Sequence, residues 1–144
     1  ASICRERCNG YIHALKDRGI MVDPDLVILS GLLEQDGRDG AKQLMSLPEP
    51  PDAIFTVNDP VALGAMMQLK DMGLRVPDDV GIVGFTDSPV AAMVEPALTT
   101  IHQPAHAIGM TAAKLLLDHL ESDSDTQQKV IHTLDTHLVV RDSA

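Results

Sequence analysis

Apolar residues recur with helical spacing in several parts of the chain. From Cys4 they fall at positions 8, 11, 12 and 15, on one face of an amphipathic helix, and Gly19 supplies a left-handed stop. A second helix is predicted from about Arg38 to Met45, before the proline-rich stretch at 48–51. The last predicted helix carries one apolar stripe, made of Ile108, Ala112, Leu115, Leu116 and Leu120.

Short continuous apolar runs lie between the helical segments and predict buried strands. The runs are Leu26–Leu29, Ala53–Val57, Val80–Phe85 and Leu98–Ile101, and two further extended segments, 130–134 and 137–141, close the chain. The helix after the second run is predicted to have Asp59 as its N-cap, Pro60 as its first residue and Gly73 as its stop. Strands alternating with helices at these short spacings indicate an α/β fold with a mainly parallel sheet.

Two polar stretches follow predicted strands directly: Asn58-Asp59, and Thr86-Asp87-Ser88. In open parallel sheets, ligands bind beyond the carboxyl ends of the strands. The Asn58 amide could bind a ligand hydroxyl or merely form a turn. Arg7, off the apolar stripe of the first helix, is either a solvated side chain or a fork for vicinal hydroxyls or a carboxylate.

Composition narrows the class of protein. The chain has 144 residues, 44% of them apolar, which is enough for one globular domain with its own core. Its formal net charge of −10, with no basic cluster, predicts that it repels nucleic acid. No apolar run approaches the roughly 20 residues that a membrane helix needs. The N-terminus lacks a secretory pattern but begins directly in a helix, so we expect a piece of a longer protein.

The two cysteines, Cys4 and Cys8, lie one helical turn apart, where a disulfide between them has poor geometry. This favours reduced thiols and a cytosolic protein. A metal site would need further ligands, and the nearest histidine, His13, lies off that helix face, so no metal or cofactor is predicted.

Catalysis finds little support. Asp87 could serve as an acid or a nucleophile. The sequence, however, has no serine elbow, no phosphate-binding glycine loop and, near Asp87, no second carboxylate of the kind such a reaction needs. The six histidines are scattered and none pairs with a nucleophile. We therefore predict a protein that is not an enzyme.

Several motifs in order resemble the LacI/GalR family of bacterial transcription regulators over nearly the whole chain. They are Arg7, Gly10, Tyr11 and Gly19 at the front, then Pro51–Phe55, Asn58-Asp59, Ala62–Gly64, Gly73–Asp79, Val83–Phe85, Pro96–Pro104, Gly109, Ala113 and Leu138–Ser143. Taken together in this order and spacing they are specific, although any one alone would be weak.

The resemblance implies a three-layer, parallel-sheet subdomain of the type I periplasmic-binding-protein-like fold, truncated, with a small effector bound between two subdomains. Residues 1–102 would form the C-terminal effector-binding subdomain, 103–128 a crossover helix completing the N-terminal subdomain, and 129–144 the closing strands. It further implies a cytoplasmic homodimer that binds operator DNA only through a missing N-terminal helix-turn-helix. The alternative is an extracytoplasmic solute-binding protein of similar fold.

The resemblance also suggests the residues that contact the effector, a sugar or related metabolite. Arg7 matches the arginine that grips the effector, Asn58 matches the asparagine of an Asn-Asp motif, and Gln35 falls where many members carry a stacking aromatic. Thr86 stands where members commonly have an aspartate, and Asp87 follows it as a further polar contact. The stripe of the last helix, whose partner elements are missing, is expected to pack against another copy or fold back onto this one.

Overall fold

The computed structural model describes residues 2–121 and 131–144. Its helices are α1 (Ser2–Asp17), α2 (Glu34–Leu44), α3 (Asp59–Asp71) and α4 (Ala105–Glu121), and its strands are β1 (Ala53–Phe55), β2 (Gly81–Thr86), β3 (Thr99–His102) and β4 (His137–Val139). Two short 3-10 helices cover Pro24–Leu26 and Pro89–Ala92. Glycines with positive φ follow α1 and α3, namely Gly19 at 69° and Gly73 at 78°, and confirm the predicted stops.

The sheet has the order β1-β2-β3-β4 and is mainly parallel, as predicted. β1 pairs with β2 and β2 with β3 in parallel, whereas β4 runs antiparallel to β3. The carboxyl ends of the first three strands therefore lie side by side. We call this row of strand ends, from Phe55 through Thr86 to His102, the carboxyl edge of the sheet.

The core lies where α3 packs between α2 and β2. Its fully buried apolar side chains include Leu69, Val80, Ile82 and Leu98. α2 and α3 approach backbone to backbone, because a Cβ added at Gly64 would lie 1.9 Å from the Glu34 carbonyl oxygen. This packing holds the carboxyl ends of β1 and β2 in place from one face of the sheet.

The predicted strand Leu26–Leu29 is wrong. Asp23 caps a 3-10 turn, with its side chain accepting a hydrogen bond from the Asp25 amide at 2.9 Å, and the residues beyond it join no strand of the sheet. Leu26 and Ile28 pack against the core, while Leu29 is 90% exposed. None of the four side chains is fully buried, so the run lacks the two covered faces that the prediction assumed.

Other boundaries also differ. α2 begins at Glu34, four residues before its predicted start, because the Asp36 carboxylate accepts a hydrogen bond from the Leu33 amide at 2.7 Å and closes the first turn. The predicted extended segment at 130–134 is not a strand over 131–134, and Val130 lies outside the described residues. The final segment pairs only over His137–Val139.

The apolar stripe of α4 is exposed. None of the residues of this helix is buried, and Leu116 and Leu120 are 59% and 71% exposed. The expectation that α4 folds back onto the chain is therefore wrong, because none of its residues is buried against the rest of the described chain. Packing against another copy remains a prediction. In the part of the chain that the structure describes, no helix is both long and apolar enough to span a membrane.

Candidate functional site

The end of β2 has an unusual backbone. Thr86 has φ 137° and Asp87 has φ 57°, both in a region that residues other than glycine seldom adopt. Thr86 is β-branched, which makes its conformation the less favourable of the two. Strained residues of this kind persist only where their surroundings hold them, and they cluster at binding sites.

Side chains from two other segments hold Asp87 in place. Arg141 Nη2 donates to Asp87 Oδ1 at 2.7 Å, and His102 Nδ1 lies 3.0 Å from Oδ2. The hydrogen bond from Arg141 lowers the pKa of Asp87 most, and the bond to His102 adds to it, while partial burial opposes both. Arg141 also donates to the Leu98 carbonyl at 2.8 Å, and the His137 ring centre lies 4.9 Å from that of His102.

A second carboxylate holds the same loop from below. Asp59 is fully buried; its Oδ1 accepts from Thr100 Oγ1 at 2.6 Å and its Oδ2 from the Ser88 amide at 2.7 Å. Gly84 leaves room for it, because a Cβ there would lie 2.5 Å from Asp59 Oδ1. Asp59 therefore joins the start of α3 to the loop after β2 and to β3.

The predicted N-cap of α3 is off by one residue. Asn58, with an extended backbone, is the cap: its Oδ1 accepts from the Val61 amide at 2.9 Å. Asp59 is the first helical residue. It does not cap the helix, because its carboxylate bonds to Thr100 and Ser88 instead of the helix amides. The Asn58 Nδ2 donates to the Leu32 carbonyl at 3.0 Å, so both ends of the amide are engaged within the protein.

Arg7 reaches from α1 to the carboxyl edge and is not a freely solvated side chain. Its Nη1 donates to the Val57 carbonyl, and its guanidinium lies 3.7 Å from the centre of the Phe85 ring. Desolvation lowers the pKa of Arg7, although a guanidinium stays charged in proteins. Stacking on Phe85 and bonding to Val57 fix the plane of the guanidinium. These two partners directly precede Thr86 and Asn58 in the sequence.

Gln35 is the one expected contact that the structure does not bring to this cluster. It lies in the first turn of α2, exposed, and its Nε2 donates to Asp39 Oδ1 at 3.0 Å along the same helix. The other four, Arg7, Asn58, Thr86 and Asp87, gather at the ends of β1 and β2.

Two cavities lie at or near the carboxyl edge. A largely apolar cleft of about 590 Å³ lies between α1, segment 20–30, α2 and β1, and Arg7 lines it. A more open groove of about 580 Å³ lies beyond the ends of β2 and β3 and is lined by 86–89 and 102–107. Thr86 and Asp87 face this groove, whereas Asn58 and Gln35 line neither cavity.

Several residues of the cluster were missed in the sequence. Thr100, His102 and Arg141 come from segments that lie 13 to 54 positions from Asp87, so local spacing could not pair them with it. One hint of their role was present in the sequence: His102 is a polar residue at the end of β3, and Arg141 is a charged residue near the end of the chain. Within 2–121 and 131–144, no group of three or more His, Cys, Asp or Glu side chains could hold a metal ion.

Comparison with known proteins identifies the family. A model of the periplasmic binding protein-like domain matches residues 2–144. The HTH-type transcriptional repressor CytR of Escherichia coli K12 is 38% identical over 141 residues, covering 98% of this chain and 41% of that protein. The regulator CelR of Thermobifida fusca is 36% identical over 138 residues, covering 96% of this chain and 40% of that protein. The chain thus spans about two fifths of the length of these curated relatives.

Solved structures agree with this match. A CelR–cellobiose complex superposes with a TM-score of 0.88 at 36% identity, covering 96% of this chain and 42% of that one. A LacI-type regulator from Bifidobacterium animalis superposes with a TM-score of 0.90 at 34% identity, covering 98% of this chain and 50% of that one. A LacI family regulator from Lactobacillus casei with bound sucrose superposes with a TM-score of 0.82 at 33% identity, covering 97% of this chain and 51% of that one. The chain belongs to the periplasmic binding protein-like domain family, in the form found in LacI-type transcription regulators.

Proposed function

We propose that this chain is the effector-sensing part of a LacI-type transcription regulator. It binds a small molecule, a sugar or related metabolite, and thereby changes the affinity for operator DNA of a helix-turn-helix region outside this chain, without a catalytic step. The observation that carries the proposal is the polar cluster at the carboxyl edge, in a chain whose solved relatives include complexes with cellobiose and sucrose.

The geometry of the cluster supports two of the proposed effector contacts. Arg7 presents the remaining donors of its fixed guanidinium, and Thr86 presents a hydroxyl at the strained end of β2. Asn58 and Asp87 contribute mainly by shaping the edge, since their polar atoms bond to Val61, Leu32, Arg141 and His102. Gln35 reaches the effector only if it leaves Asp39.

The rest of the chain fits a larger regulator. Residues 1–102 and 129–144 form the effector-binding subdomain, and 103–128 cross over to complete a second subdomain, which covers the exposed stripe of α4. The whole protein acts as a cytoplasmic homodimer, and the effector closes the cleft between its subdomains. An extracytoplasmic solute-binding protein is not favoured, because the curated relatives are named as HTH-type repressors and regulators.

A thermal-shift screen of the full-length protein tests the proposal. Cellobiose, sucrose, cytidine and adenosine are added separately, and at least one is expected to raise the melting temperature because a ligand that binds only the folded state stabilises it. Arg7→Ala is expected to abolish that rise, since it removes the charged donors at the edge.

Arg5→Ala is the matched control. Arg5 lies on the same helix with a side chain that is 74% exposed, and among the described residues its one ion pair is with Glu6 at 3.9 Å, so its loss should leave the shift unchanged. A full ligand shift in Arg7→Ala would contradict the assigned role of Arg7. The absence of a shift in the unaltered protein with all four compounds would contradict the proposed function.

A further inference from the structure

His102 is the last residue of β3 and lies at the carboxyl edge with its side chain partly open to solvent. β3 pairs with both β2 and β4 here, and the register places His102 between Thr86 and His137. The His102 side chain is 39% exposed and lines the groove beyond the ends of β2 and β3. A molecule in that groove can therefore reach the imidazole without any movement of the chain.

Two contacts fix the orientation of the imidazole ring. Nδ1 lies 3.0 Å from Asp87 Oδ2, and the centre of the His137 ring lies 4.9 Å from that of His102. Arg141 Nη2 donates to the other oxygen of Asp87 at 2.7 Å, which holds the carboxylate in place. A ring held in this way is already ordered, so a ligand that bonds to it pays little entropy for immobilising the side chain.

The bond to Asp87 decides what the second nitrogen of His102 can do. Because Arg141 lowers the pKa of Asp87, this carboxylate is ionised and only accepts hydrogen bonds. Nδ1 of His102 therefore carries a proton, which leaves Nε2 as an acceptor in the neutral ring. Nε2 lies at the tip of the side chain and has no hydrogen-bond partner among the described residues.

We propose that His102 contacts the effector directly, with Nε2 accepting a hydrogen bond from an effector hydroxyl or amino group beside Thr86. This inference rests on the proposed function and extends it, because it adds a contact at the end of β3 to those of Arg7 and Thr86. It also names the chemistry of the group bound there. A sugar or nucleoside hydroxyl supplies the proton of such a bond, whereas an ionised carboxylate does not.

Asparagine and glutamine substitutions separate the two nitrogens of His102. In His102→Asn the amide stands where Nδ1 stands now, so the bond to Asp87 is kept and Nε2 is lost. In His102→Gln the longer side chain puts its amide where Nε2 stands, so an acceptor in the groove is kept and the bond to Asp87 is lost. A contact with the effector and a purely structural role thus predict opposite orders of affinity for the two variants.

Binding of cellobiose, sucrose, cytidine and adenosine to the full-length variants is measured by calorimetry, with melting temperatures recorded without ligand. For a compound that binds the unaltered protein, we expect His102→Asn to lower the affinity roughly three- to tenfold, the effect of one lost neutral hydrogen bond. His102→Gln should lower it by at most about twofold. The melting temperature of His102→Asn should stay within about 2 °C of the unaltered value, because the bond to Asp87 is kept.

His13→Asn is the matched control, since His13 is exposed on α1 and lines neither of the two cavities, and its affinity should equal that of the unaltered protein. Equal affinity in His102→Asn and the unaltered protein would overturn the inference and leave Nε2 bonded to solvent alone. A larger loss in His102→Gln than in His102→Asn would also overturn it, since His102 would then act only by holding Asp87. If none of the four compounds binds the unaltered protein, the proposed function itself fails, and this inference with it.

Discussion

At the scale of residues, the two carboxylates of the carboxyl edge have different partners and different surroundings. Asp59 is fully buried, and within the described part of the chain its carboxylate bonds to two neutral groups, the Thr100 hydroxyl and the Ser88 amide. Asp87 has a side chain that is 17% exposed and bonds to Arg141 and His102. Asp59 therefore acts as a fixed internal acceptor, and Asp87 as the centre of an ion-paired network.

Asp59→Ala should destabilise the protein by about 3 kcal/mol, because it leaves the buried Thr100 hydroxyl and the Ser88 amide without their acceptor. Urea unfolding followed by circular dichroism measures this free energy. Asp39→Ala, which removes an exposed carboxylate whose bond in the described structure is to Gln35, should change it by less than about 0.5 kcal/mol. Equal effects of the two substitutions would contradict the role assigned to Asp59.

At the scale of elements, the contact between α2 and α3 depends on two glycines. A Cβ at Gly37 would lie 2.0 Å from the Val61 carbonyl oxygen, and one at Gly64 would lie 1.9 Å from that of Glu34. Both neighbours are backbone atoms, which cannot rotate away as a side chain could. The close contact brings α2, and with it Leu32 and Leu33, to the Asn58 cap.

Gly64→Ala should therefore lower the free energy of unfolding by at least about 2 kcal/mol, since α2 must shift to accept the methyl group. Gly10→Ala in α1 is the matched control: no described residue outside its own helical turn lies within 4 Å of the added Cβ, and a helical alanine should stabilise by about 0.5–1 kcal/mol. Urea denaturation of both variants measures the two effects. Stabilisation by Gly64→Ala would show that the helices do not pack this closely.

At the scale of the whole molecule, the last residues of the chain secure the sheet. Ser143 is fully buried, with Oγ accepting from the Thr99 amide at 2.8 Å and donating to the Ile82 carbonyl at 2.7 Å. Arg141 bonds to Asp87, which lies 54 positions earlier. The Ser143 bonds hold the C-terminal segment against the first residues of β2 and β3, whereas the Arg141 bond connects it to Asp87 at the carboxyl edge. The stability of that edge therefore depends on a group far away in sequence.

This network should make stability depend on acid pH. The pKa of Asp87 is lowered in the folded state, so its ionised form stabilises the protein above the unfolded pKa of about 4, and that contribution is lost as the pH falls through the lower folded value. The unfolding free energy of the unaltered protein should therefore exceed that of Asp87→Asn at pH 7, and the difference should shrink below about pH 4.

Urea denaturation at pH 7, 5, 4 and 3 measures this difference. Asp39→Asn serves as the control, because it removes an exposed carboxylate from α2 that has no arginine or histidine partner among the described residues. A difference between the unaltered protein and Asp87→Asn that stays constant down to pH 3 would contradict the role of the Asp87 network.

The sequence allowed those elements to be predicted whose signals are local. The stops of α1 and α3 followed from Gly19 and Gly73, because only a glycine adopts positive φ without strain. The parallel direction of β1, β2 and β3 followed from the alternation of strands and helices, although their order in the sheet did not. The prediction of a strand at Leu26–Leu29 was wrong because an apolar run does not show how many of its faces the rest of the protein covers.

For the site, the sequence by itself determined which polar residues stand at strand ends, since a strand's direction and its terminal residues are read from consecutive positions. Only the tertiary structure decided their partners: Arg7 stacked on Phe85, Asp59 turned from helix cap to buried acceptor, and Asp87 bonded to Arg141. The physical reason is that hydrogen bonds and ion pairs depend on distances of a few ångströms between segments that the folding of the sheet brings together.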